Sequence, residues 1–434
     1  MSGVGSDDVD GTPSTGLRSS AAEHRASNPD AEVRLLSGAS PVSPTPRREK
    51  EDADAYVKIK TFGSVDERSL KQLERCMAAG DAEFGVLCAD HHPGYSQPIG
   101  GAIAYEGYVS PSGVGWDIGC GNKAVSTELT RADLEKLGGV ERIMREITKR
   151  VSFGMGVPAR ERVDHLVLDK IRNALVTPQR KLAGLAESQL GTVGSGNHYV
   201  NLMEDEEGRV WVGVHFGSRG FGHKTAGGFL ALAQGLPFDG RAAEGEMDSP
   251  PVLFDLGSEL AESYISAMRL AGEYAYAGRD VVVAKVLEIL SAQPVHEVHN
   301  HHNFAWREEH GGRTYWVVRK GCTPARPGQE GFVGGSMGDE SVILEGVESS
   351  EAEESLFSTV HGAGRVMSRS RAAGRVRRRK RSRSRSSPAR STGRPSRLAC
   401  ASRGSCWWAA APTRRRRCTS ASRTSSPHTP ARFG

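Results

Sequence analysis

The feature that most limits what this chain can fold into is an abrupt change of composition after Ala372. Residues 373–434 contain 18 Lys and Arg, no Asp or Glu, and only two branched aliphatic residues. So little apolar surface cannot offset the entropy that a chain loses when it becomes ordered. Residues 1–54 are rich in Ser, Pro, Gly and charged side chains and have the same deficit. We therefore predict two disordered tails that flank one folded body, residues 55–372.

The net charge of +5 conceals two segments of opposite sign. Removing the 18 basic residues of the C-terminal tail from the 57 Lys and Arg leaves 39 against 52 Asp and Glu, a net charge of −13. An acidic body that carries a basic tail gives no argument from net charge for a nucleic-acid partner. Any phosphate-binding surface of the body must then be a local patch.

Three further features indicate a cytoplasmic protein. The seven cysteines are scattered and form no CxxC pair, which is typical of a reduced intracellular chain. No stretch approaches the roughly 18 consecutive apolar residues of a membrane span. The polar, acidic N-terminus lacks the apolar stretch of a secretory signal. We therefore expect no membrane interaction.

Two origins of the basic tail remain open. As a selected sequence, the tail would be a disordered arm that binds nucleic acid. Alternatively, the tail is the product of a shifted reading frame. A GC-rich coding strand read in a shifted frame yields mainly Arg, Ser, Ala, Pro, Gly and Thr, and the composition of the tail favours this origin. In either case we expect few contacts between tail and body and no stable secondary structure in the tail.

Hydrophobic periodicity in the body predicts helices and strands that are mixed without a regular βαβ order or an internal repeat. Helices are predicted at 65–79, 131–150, 258–278 and 280–290. Strands are predicted at 84–90, 101–109, 209–216, 314–320 and 340–346. The predicted fold class is α+β, a single catalytic domain with mixed sheets and surrounding helices.

The first candidate site is the glycine-rich segment GVGWDIGCGN, residues 113–122. Its glycines exclude an ordinary helix or strand, and Asp117 and Cys120 lie three positions apart within it. A carboxylate and a thiolate held this close can share one metal site, and a thiolate can bridge two metal ions. The alternative is a tight turn with a buried structural cysteine.

Histidines are concentrated in the second half of the body, where nine of the 14 lie between His198 and His361. Asn197 and His198 end the glycine-rich stretch of GTVGSGNHYVN, residues 191–201. Backbone N–H groups of such a loop can cradle a phosphate, and the amide and imidazole add polar ligands. Taken alone this motif is weak, because glycine-rich loops are common.

A second histidine motif is VHFGSRGFGH, residues 214–223. His215 ends a predicted strand, and Arg219 follows in a glycine turn that suits bidentate binding of a phosphate. The alternative is a surface turn with an exposed arginine.

The motif EVHNHHNFAW, residues 297–306, crowds imidazole and amide groups together after a helical segment. If this segment is regular, His299, His301 and His302 cannot all face one metal ion. One or two of them are candidate ligands, and the others then support those ligands or are exposed.

The last motif is STVHGAGRVMSRSRA, residues 358–372. An imidazole beside small residues and an arginine can attack phosphorus, provided that its other nitrogen is oriented by a partner. Between the motifs, residues 319–346 supply the positive charges of Lys320 and Arg326 and a GGSMG loop that suits nucleotide contact. The alternatives are a loop histidine with an exposed arginine and a long structured loop between strands.

Together these motifs resemble the RtcB family, the 3′-phosphate (tRNA-splicing type) RNA ligases, over about residues 84–372. The matching segments, in order, are HHPGYSQPIGGAIA, SPSGVGWDIGCG, GSGNH, VHFGSRGFGH, HHNFAW, RKG, GGSMG and HGAGRVMSR. The resemblance implies a GTP-dependent ligase with two Mn²⁺ ions. Such a ligase joins RNA ends that bear a 2′,3′-cyclic phosphate or a 3′-phosphate to ends that bear a 5′-hydroxyl.

The resemblance also implies roles for residues at matching positions. The implied metal ligands are Asp117, Cys120, His198, His215 and His302, with Cys120 bridging. His361 is the implied nucleophile that becomes guanylylated. The implied nucleotide contacts are Asn197, Asn303, Ser336, Ser341, Gly362, Gly364 and Arg365. Arg219 and Lys320 are implied contacts of the RNA phosphates. Manganese rests on the resemblance alone, since a thiolate with imidazoles by itself favours zinc.

Two departures from the family pattern leave alternatives open. Asn201 stands where the family has an acidic residue, and the sequence ends TPARFG where the family ends in a Lys-Gly that closes over the nucleotide. One alternative is therefore a catalytically impaired relative, or a truncated product, that binds RNA. Another is a metal-dependent phosphatase or cyclic phosphodiesterase, against which the HGAGR motif argues. The sequence does not identify an activating helper protein.

Overall fold

The computed structural model describes residues 58–243, 246–336 and 338–364 and the backbone of 407–409. The strands are β1 Lys58–Thr61, β2 Phe84–His92, β3 Ile99–Tyr105, β4 Tyr108–Val109, β5 Gly121–Thr130, β6 Ser152–Phe153, β7 Thr192–Gly194, β8 Tyr199–Glu204, β9 Arg209–Phe216, β10 Phe254–Asp255, β11 Pro294–His301, β12 Asn303–His310, β13 Arg313–Lys320, β14 Cys322–Pro324, β15 Glu330–Val333, β16 Val342–Glu345, β17 Ser358–Val360 and β18 Trp407–Ala409. The helices are α1 Glu67–Ala79, α2 Pro111–Val114, α3 Arg131–Lys136, α4 Val140–Arg150, α5 Leu166–Arg172, α6 Thr177–Arg180, α7 Ala183–Gln189, α8 Arg219–Ala233, α9 Glu259–Leu290 and α10 Ser350–Glu354.

Two five-stranded sheets carry the described body, and the predicted α+β class is confirmed. One sheet has the order β1-β2-β3-β13-β12, with β1 and β2 parallel and the other neighbours antiparallel. The other has the order β11-β5-β9-β8-β18 and is antiparallel throughout. His302 alone separates β11 from β12, so the chain passes there directly from one sheet to the other.

Helix α9 links the two principal apolar clusters of the core. Its first half, including Tyr264 and Tyr274, packs with α1, α8 and the inner strands of the first sheet. Its second half, including Val282 and Val286, packs with α4 and with β5, β8 and β9 of the second sheet. Such a helix can be apolar on several sides because each side packs against another element of the core.

Several predicted elements have different bounds in the structure. The two helices predicted on either side of Arg279 are one helix, because an isolated glycine such as Gly278 is tolerated within a helix. The helix predicted at 131–150 is instead two helices, α3 and α4. They are separated at Gly138 and Gly139, whose φ angles of 96° and 82° no helix contains.

The strands were predicted more closely than the helix boundaries. Strand β9 has the predicted bounds, and β2, β13 and β16 differ from the prediction by one or two residues at an end. The strand predicted at 101–109 is divided into β3 and β4 by the turn at Glu106 and Gly107. The segment 297–306 forms the end of β11 and the start of β12.

The N-terminal segment and most of the basic tail lie outside the described residues. The structure differs from the expected absence of secondary structure at Trp407–Ala409, whose backbone pairs antiparallel with β8, Ala409 lying opposite Val200. An edge strand with unpaired backbone groups can accept an extended segment in this way. Within the described ranges, no helix is both long and apolar enough to cross a bilayer.

Candidate active site

The centre of the site is Cys120, which lies at the end of a tight loop and directly before β5. The short helix α2 ends at Gly115, and the Cys120 amide donates a hydrogen bond to the Asp117 carbonyl, 3.0 Å away. Gly119 has a φ of 68° and lies against α9, where an added Cβ would be 3.0 Å from the Ala275 Cβ. The glycine therefore allows the loop to press Cys120 into the protein, where it is 4% exposed.

Two groups of metal-binding side chains share this cysteine. One group consists of Cys120, His215 and His302, and the other of Asp117, Cys120 and His198. In each group the ligand atoms all lie within 4.8 Å of one another. The structure therefore brings together all five side chains that the resemblance implies as metal ligands.

The distances place the Cys120 sulfur between the two groups. Cys120 Sγ lies 3.6 Å from His215 Nε2 and 3.8 Å from His198 Nε2. His198 Nε2 lies 3.0 Å from a carboxylate oxygen of Asp117, and the His215 and His302 rings stack with centroids 5.1 Å apart. A thiolate, three imidazoles and a carboxylate form a donor set that suits divalent cations.

Hydrogen bonds on the far side of two imidazoles orient them toward the sulfur. His215 Nδ1 lies 2.6 Å from the Asn122 side-chain oxygen, and His198 Nδ1 lies 3.0 Å from the Val193 carbonyl. For His215, donation from Nδ1 to Asn122 leaves Nε2 as the lone-pair nitrogen that faces Cys120. The sequence analysis missed Asn122, although it occupies the last position of the GVGWDIGCGN motif.

Burial and the neighbouring charges bias the protonation of these groups. Burial lowers the pKa of His215 and of His302 well below the usual histidine range, so both rings are neutral and able to bind a metal ion. Burial opposes ionisation of Asp117, but the charge and hydrogen bond of His198 outweigh it and lower the carboxyl pKa. Burial and the Asp117 charge raise the pKa of the Cys120 thiol, so a thiolate here requires a cation.

His361 borders this cluster and has its own carboxylate partner. It follows β17, and its ring centroid lies 4.9 Å from that of His302. His361 Nδ1 is 2.6 Å from Asp90 Oδ2, and the backbone N–H groups of His361 and Gly362 donate to the same oxygen at 3.0 and 3.2 Å. A ring whose Nδ1 lies this close to a carboxylate leaves Nε2 as the nitrogen that is available for attack.

Asp90 is the second residue of the site that the sequence analysis missed. Its side chain is 5% exposed. Burial alone would raise the Asp90 pKa, but the hydrogen bonds and charge of His361 outweigh burial and lower it. It precedes the HHPGYSQPIGGAIA motif by one position, and no local pattern marks it as the partner of a histidine 271 positions later.

Comparison with known proteins identifies the family of this arrangement. The family model for the tRNA-splicing ligase RtcB matches residues 78–395. This chain belongs to the RtcB family. The match begins earlier and ends later than the resemblance carried by the motifs, and it extends into the segment predicted as tail.

Individual RtcB proteins from bacteria and archaea match most of the chain. The RNA-splicing ligase RtcB of Escherichia coli K12 is 33% identical over 323 residues, which cover 66% of this chain and 75% of the relative. The tRNA-splicing ligase RtcB of Thermococcus kodakarensis is 32% identical over 387 residues, which cover 70% and 78%. That of Archaeoglobus fulgidus is 31% identical over 363 residues, covering 66% and 73%.

The nucleotide contacts that the RtcB resemblance implies lie on two sides of the cluster. The Asn197 amide nitrogen is 3.1 Å from His215 Nε2. Asn303 braces the backbone instead, since its side chain accepts from the Gly321 N–H at 2.8 Å and donates to the Asp117 carbonyl at 3.4 Å. Asn303 therefore connects the Cys120 loop to the end of β13.

The serine positions lie in the loop between β15 and β16. Ser336 is exposed, and the Ser341 hydroxyl accepts a hydrogen bond from the Gly335 N–H at 3.0 Å. Gly334 forms an isolated β-bridge with Gly362, so this loop begins beside the residue that follows His361. Gly364 ends this part of the described chain, and Arg365 lies outside the described residues.

The two implied RNA-phosphate contacts have different surroundings. One Arg219 guanidinium nitrogen lies 3.0 Å from His198 Nδ1, in a space that only a glycine at position 194 leaves free. The Lys320 ammonium donates to the carbonyl oxygens of Tyr95 at 2.6 Å and Ser112 at 3.2 Å. Burial lowers the pKa of Lys320 to about 8. Arg219 therefore borders the metal ligands, whereas Lys320 is committed to backbone oxygens.

Arg279 is a third residue that the sequence analysis did not assign to the site. It is fully buried and donates to the carbonyls of Gly119 at 2.9 Å and Phe216 at 2.6 Å, which flank Cys120 and His215 in sequence. Its Nε donates to His299 Nε2 at 2.8 Å. His299, which lies on β11, therefore supports Arg279 and belongs to neither of the two groups that share Cys120.

A third cluster of side chains that could hold a metal ion is paired with a lysine instead. Asp280, Glu297 and His299 have ligand atoms within 4.8 Å of one another. The Lys123 ammonium lies 2.6 Å from Asp280 and 2.7 Å from Glu297. A lysine cation therefore already balances these carboxylates, and the cluster is an ion-pair network.

Proposed function

We propose that this chain is a GTP-dependent RNA ligase. It joins RNA ends that carry a 2′,3′-cyclic phosphate or a 3′-phosphate to ends that carry a 5′-hydroxyl, with two Mn²⁺ ions at the site. The observation that carries the proposal is the sharing of Cys120 by two ligand groups, one of which borders a histidine paired with a carboxylate. Membership of the RtcB family, whose relatives are named RNA-splicing and tRNA-splicing ligases, supports RNA as the substrate.

The side chains divide the work in this proposal. Cys120 would hold cations together with His215 and His302 in one group and with Asp117 and His198 in the other. Bound there, divalent cations would withdraw charge from phosphate oxygens and thus favour attack at phosphorus. Asn122 would keep Nε2 of His215 available to a bound cation.

His361 is the proposed nucleophile. Its Nε2 attacks the α-phosphorus of GTP, a P–N bond forms, and pyrophosphate leaves with the electrons of the broken P–O bond. Asp90 holds the Nδ1 proton and balances the positive charge that develops on the ring. A 2′,3′-cyclic phosphate is first opened by water, which breaks its bond to the 2′-oxygen and leaves a 3′-phosphate. An oxygen of the 3′-phosphate then attacks the GMP phosphorus, and the P–N bond breaks with its electrons returning to His361. Finally the 5′-hydroxyl attacks that phosphate, loses its proton and releases GMP as the phosphodiester forms.

Labelled GTP tests the first step. We expect α-³²P-GTP and Mn²⁺ to give a protein-bound label that is lost in acid, and His361→Ala to abolish it. Asp90→Asn should reduce the rate of labelling on the order of 10²-fold or more, the usual contribution of such a partner. His296→Ala is the matched control, because His296 is exposed on β11 and distant from this chemistry. Absence of the label in the wild type would contradict the proposal.

Defined RNA ends test the remaining steps. An RNA with a 2′,3′-cyclic phosphate and a partner with a 5′-hydroxyl should give a joined product only when GTP is present. The same pair prepared with a 3′-hydroxyl and a 5′-phosphate should not be joined. Release of the terminal phosphate without joining or labelling would instead identify a phosphatase or phosphodiesterase.

A further inference from the structure

Two free cysteines are in contact beside the loop that carries His361. Cys88 Sγ lies 3.5 Å from Cys322 Sγ, although the residues are 234 positions apart in sequence. Their exposed fractions are 1% and 0%. Two thiols in van der Waals contact need only a small displacement to reach the roughly 2.05 Å of a disulfide bond.

The two cysteines lie on strands that are directly connected to the proposed nucleophile and its carboxylate. Cys88 is on β2, two residues before Asp90. Cys322 is on β14 and pairs with Val360, the residue immediately before His361. The residue before Cys322 also lies against the nucleophile, since a Cβ added at position 321 would be 3.0 Å from His361 Cε1.

The metal ligands and the proposed chemistry do not use these sulfurs. Cys88 and Cys322 belong to a small apolar cluster with Val86, Val317 and Leu356. Burial raises the pKa of Cys322, so its thiol is unreactive as long as the cluster stays closed. Ala89, the residue after Cys88, is exposed, so the cluster lies one residue beneath the surface and within reach of a small oxidant.

We propose that Cys88 and Cys322 form an oxidisable pair, a modification site at which a peroxide generates a disulfide that disturbs the Asp90–His361 contact. In the first step one thiolate attacks the peroxide, its sulfur becomes a sulfenic acid, and the O–O bond breaks to release water or an alcohol. In the second step the other thiol attacks that sulfur, the S–S bond forms, and water leaves. Two thiols are thereby oxidised and one peroxide is reduced.

The consequence for the site follows from the connections of the two strands. Closing the S–S bond draws β14 toward β2. Strand β17, which is hydrogen-bonded to β14 and directly precedes His361, should move with it. A displacement of the order of 1 Å at a nucleophile can cost about 10²-fold in rate. This second part of the proposal rests on the proposed function, whereas formation of the disulfide does not.

Peptide mapping tests the modification itself. The reduced full-length chain is treated with hydrogen peroxide, alkylated and digested without reductant. We expect a peptide that links Cys88 to Cys322, and its loss when dithiothreitol is added before alkylation. The proposal would be overturned if either residue were linked only to other cysteines. It would also be overturned if both thiols could still be alkylated at peroxide doses that oxidise Cys120.

Labelling with GTP tests the consequence. Peroxide should slow formation of the GMP adduct by tenfold or more in the wild type, within the range that misplacement of a nucleophile causes. Dithiothreitol should restore the rate. Cys88→Ser and Cys322→Ala should each keep the untreated rate and resist peroxide more than the wild type.

Equal loss in the wild type and both variants would assign inactivation to Cys120 and overturn the regulatory part. Failure of labelling before any oxidation would count against the proposed function alone.

Discussion

At the scale of single residues, two histidines of the candidate centre have partners on distant segments of the chain. His215 is oriented by Asn122 and His361 by Asp90, 93 and 271 positions away. These pairings select which ring nitrogen faces the reacting atoms. The chemistry proposed for each histidine therefore depends on a second residue that holds its proton.

Cys120→Ala should remove bound metal while the fold is retained. The substitution deletes the only atom common to both ligand groups, and the side chain lies at the end of a loop and not within an element. Metal content measured after gel filtration should fall below half of the wild-type value, and the GMP adduct should disappear.

Cys76→Ala is the matched control for this prediction. Cys76 is equally buried but lies on α1, where its sulfur is 3.5 Å from the Ser96 carbonyl. It should keep its metal content and lose about 1 kcal/mol of stability, as for an ordinary core substitution. Equal metal content in the wild type and Cys120→Ala would contradict the assignment.

Glu308→Gln should destabilise the protein in a way that depends on pH. Burial opposes ionisation of Glu308, but the charge of Arg319 and the hydrogen bond of His310 outweigh it and lower the carboxyl pKa to about 2. The contribution to stability is therefore complete above the usual pKa of 4.5 and is lost as the pH falls from 4.5 toward about 2.

Urea unfolding at several pH values measures this effect. At pH 7 the variant should be less stable than the wild type by about 3 kcal/mol, since Arg319 would keep a buried charge without its partner. The difference should shrink steadily below pH 4.5. Glu309→Gln, at an exposed neighbouring position, should show neither effect. A difference that does not vary with pH would assign the loss to packing.

At the scale of elements, α9 determines how the ends of two strands meet. Its Arg279 donates to the carbonyls of Gly119 and Phe216, so one guanidinium ties the start of β5 to the end of β9. Cys120 and His215 lie beside those carbonyls. The long helix thus contributes to the geometry of the centre without supplying a ligand.

Arg279→Met should weaken metal binding by about tenfold or more, because groups that support metal ligands typically contribute that much. Titration with Mn²⁺ followed by calorimetry measures the affinity. Arg269→Met on the same helix is the matched control, since Arg269 is exposed and lies over the Trp316 ring. Arg279→Lys keeps the charge but not the forked geometry, and it should restore the affinity only in part. Unchanged affinity in a folded Arg279→Met variant would refute this role.

At the scale of the whole molecule, charge is divided between the body and the tail. Residues 1–372 carry a net charge of −13, and the residues after position 372 carry 18 positive charges. The family match ends at residue 395, so eight of those charges lie beyond it. A basic segment attached to an acidic body should dominate nonspecific contact with RNA phosphates.

Deleting residues 396–434 should therefore weaken RNA binding, and more so at low salt. Each phosphate contact contributes about 0.7 to the slope of log K against log salt for a single strand. The slope should fall in magnitude by up to about 6 when eight arginines are removed. Fluorescence anisotropy with a labelled single-stranded RNA between 50 and 200 mM salt would be the measurement. Identical slopes for the two chains would mean that the body alone contacts the RNA.

The sequence by itself determined the family, the α+β class and the candidate ligands, because each is recorded in local patterns. Alternation predicted β9 with its correct bounds, and the glycine-rich motifs singled out Cys120 and His361. Only the tertiary structure decided that Asp90 lies against His361 and that Asn122 orients His215. These facts depend on contacts between segments up to 271 positions apart, and a contact at that separation leaves no periodicity in either segment.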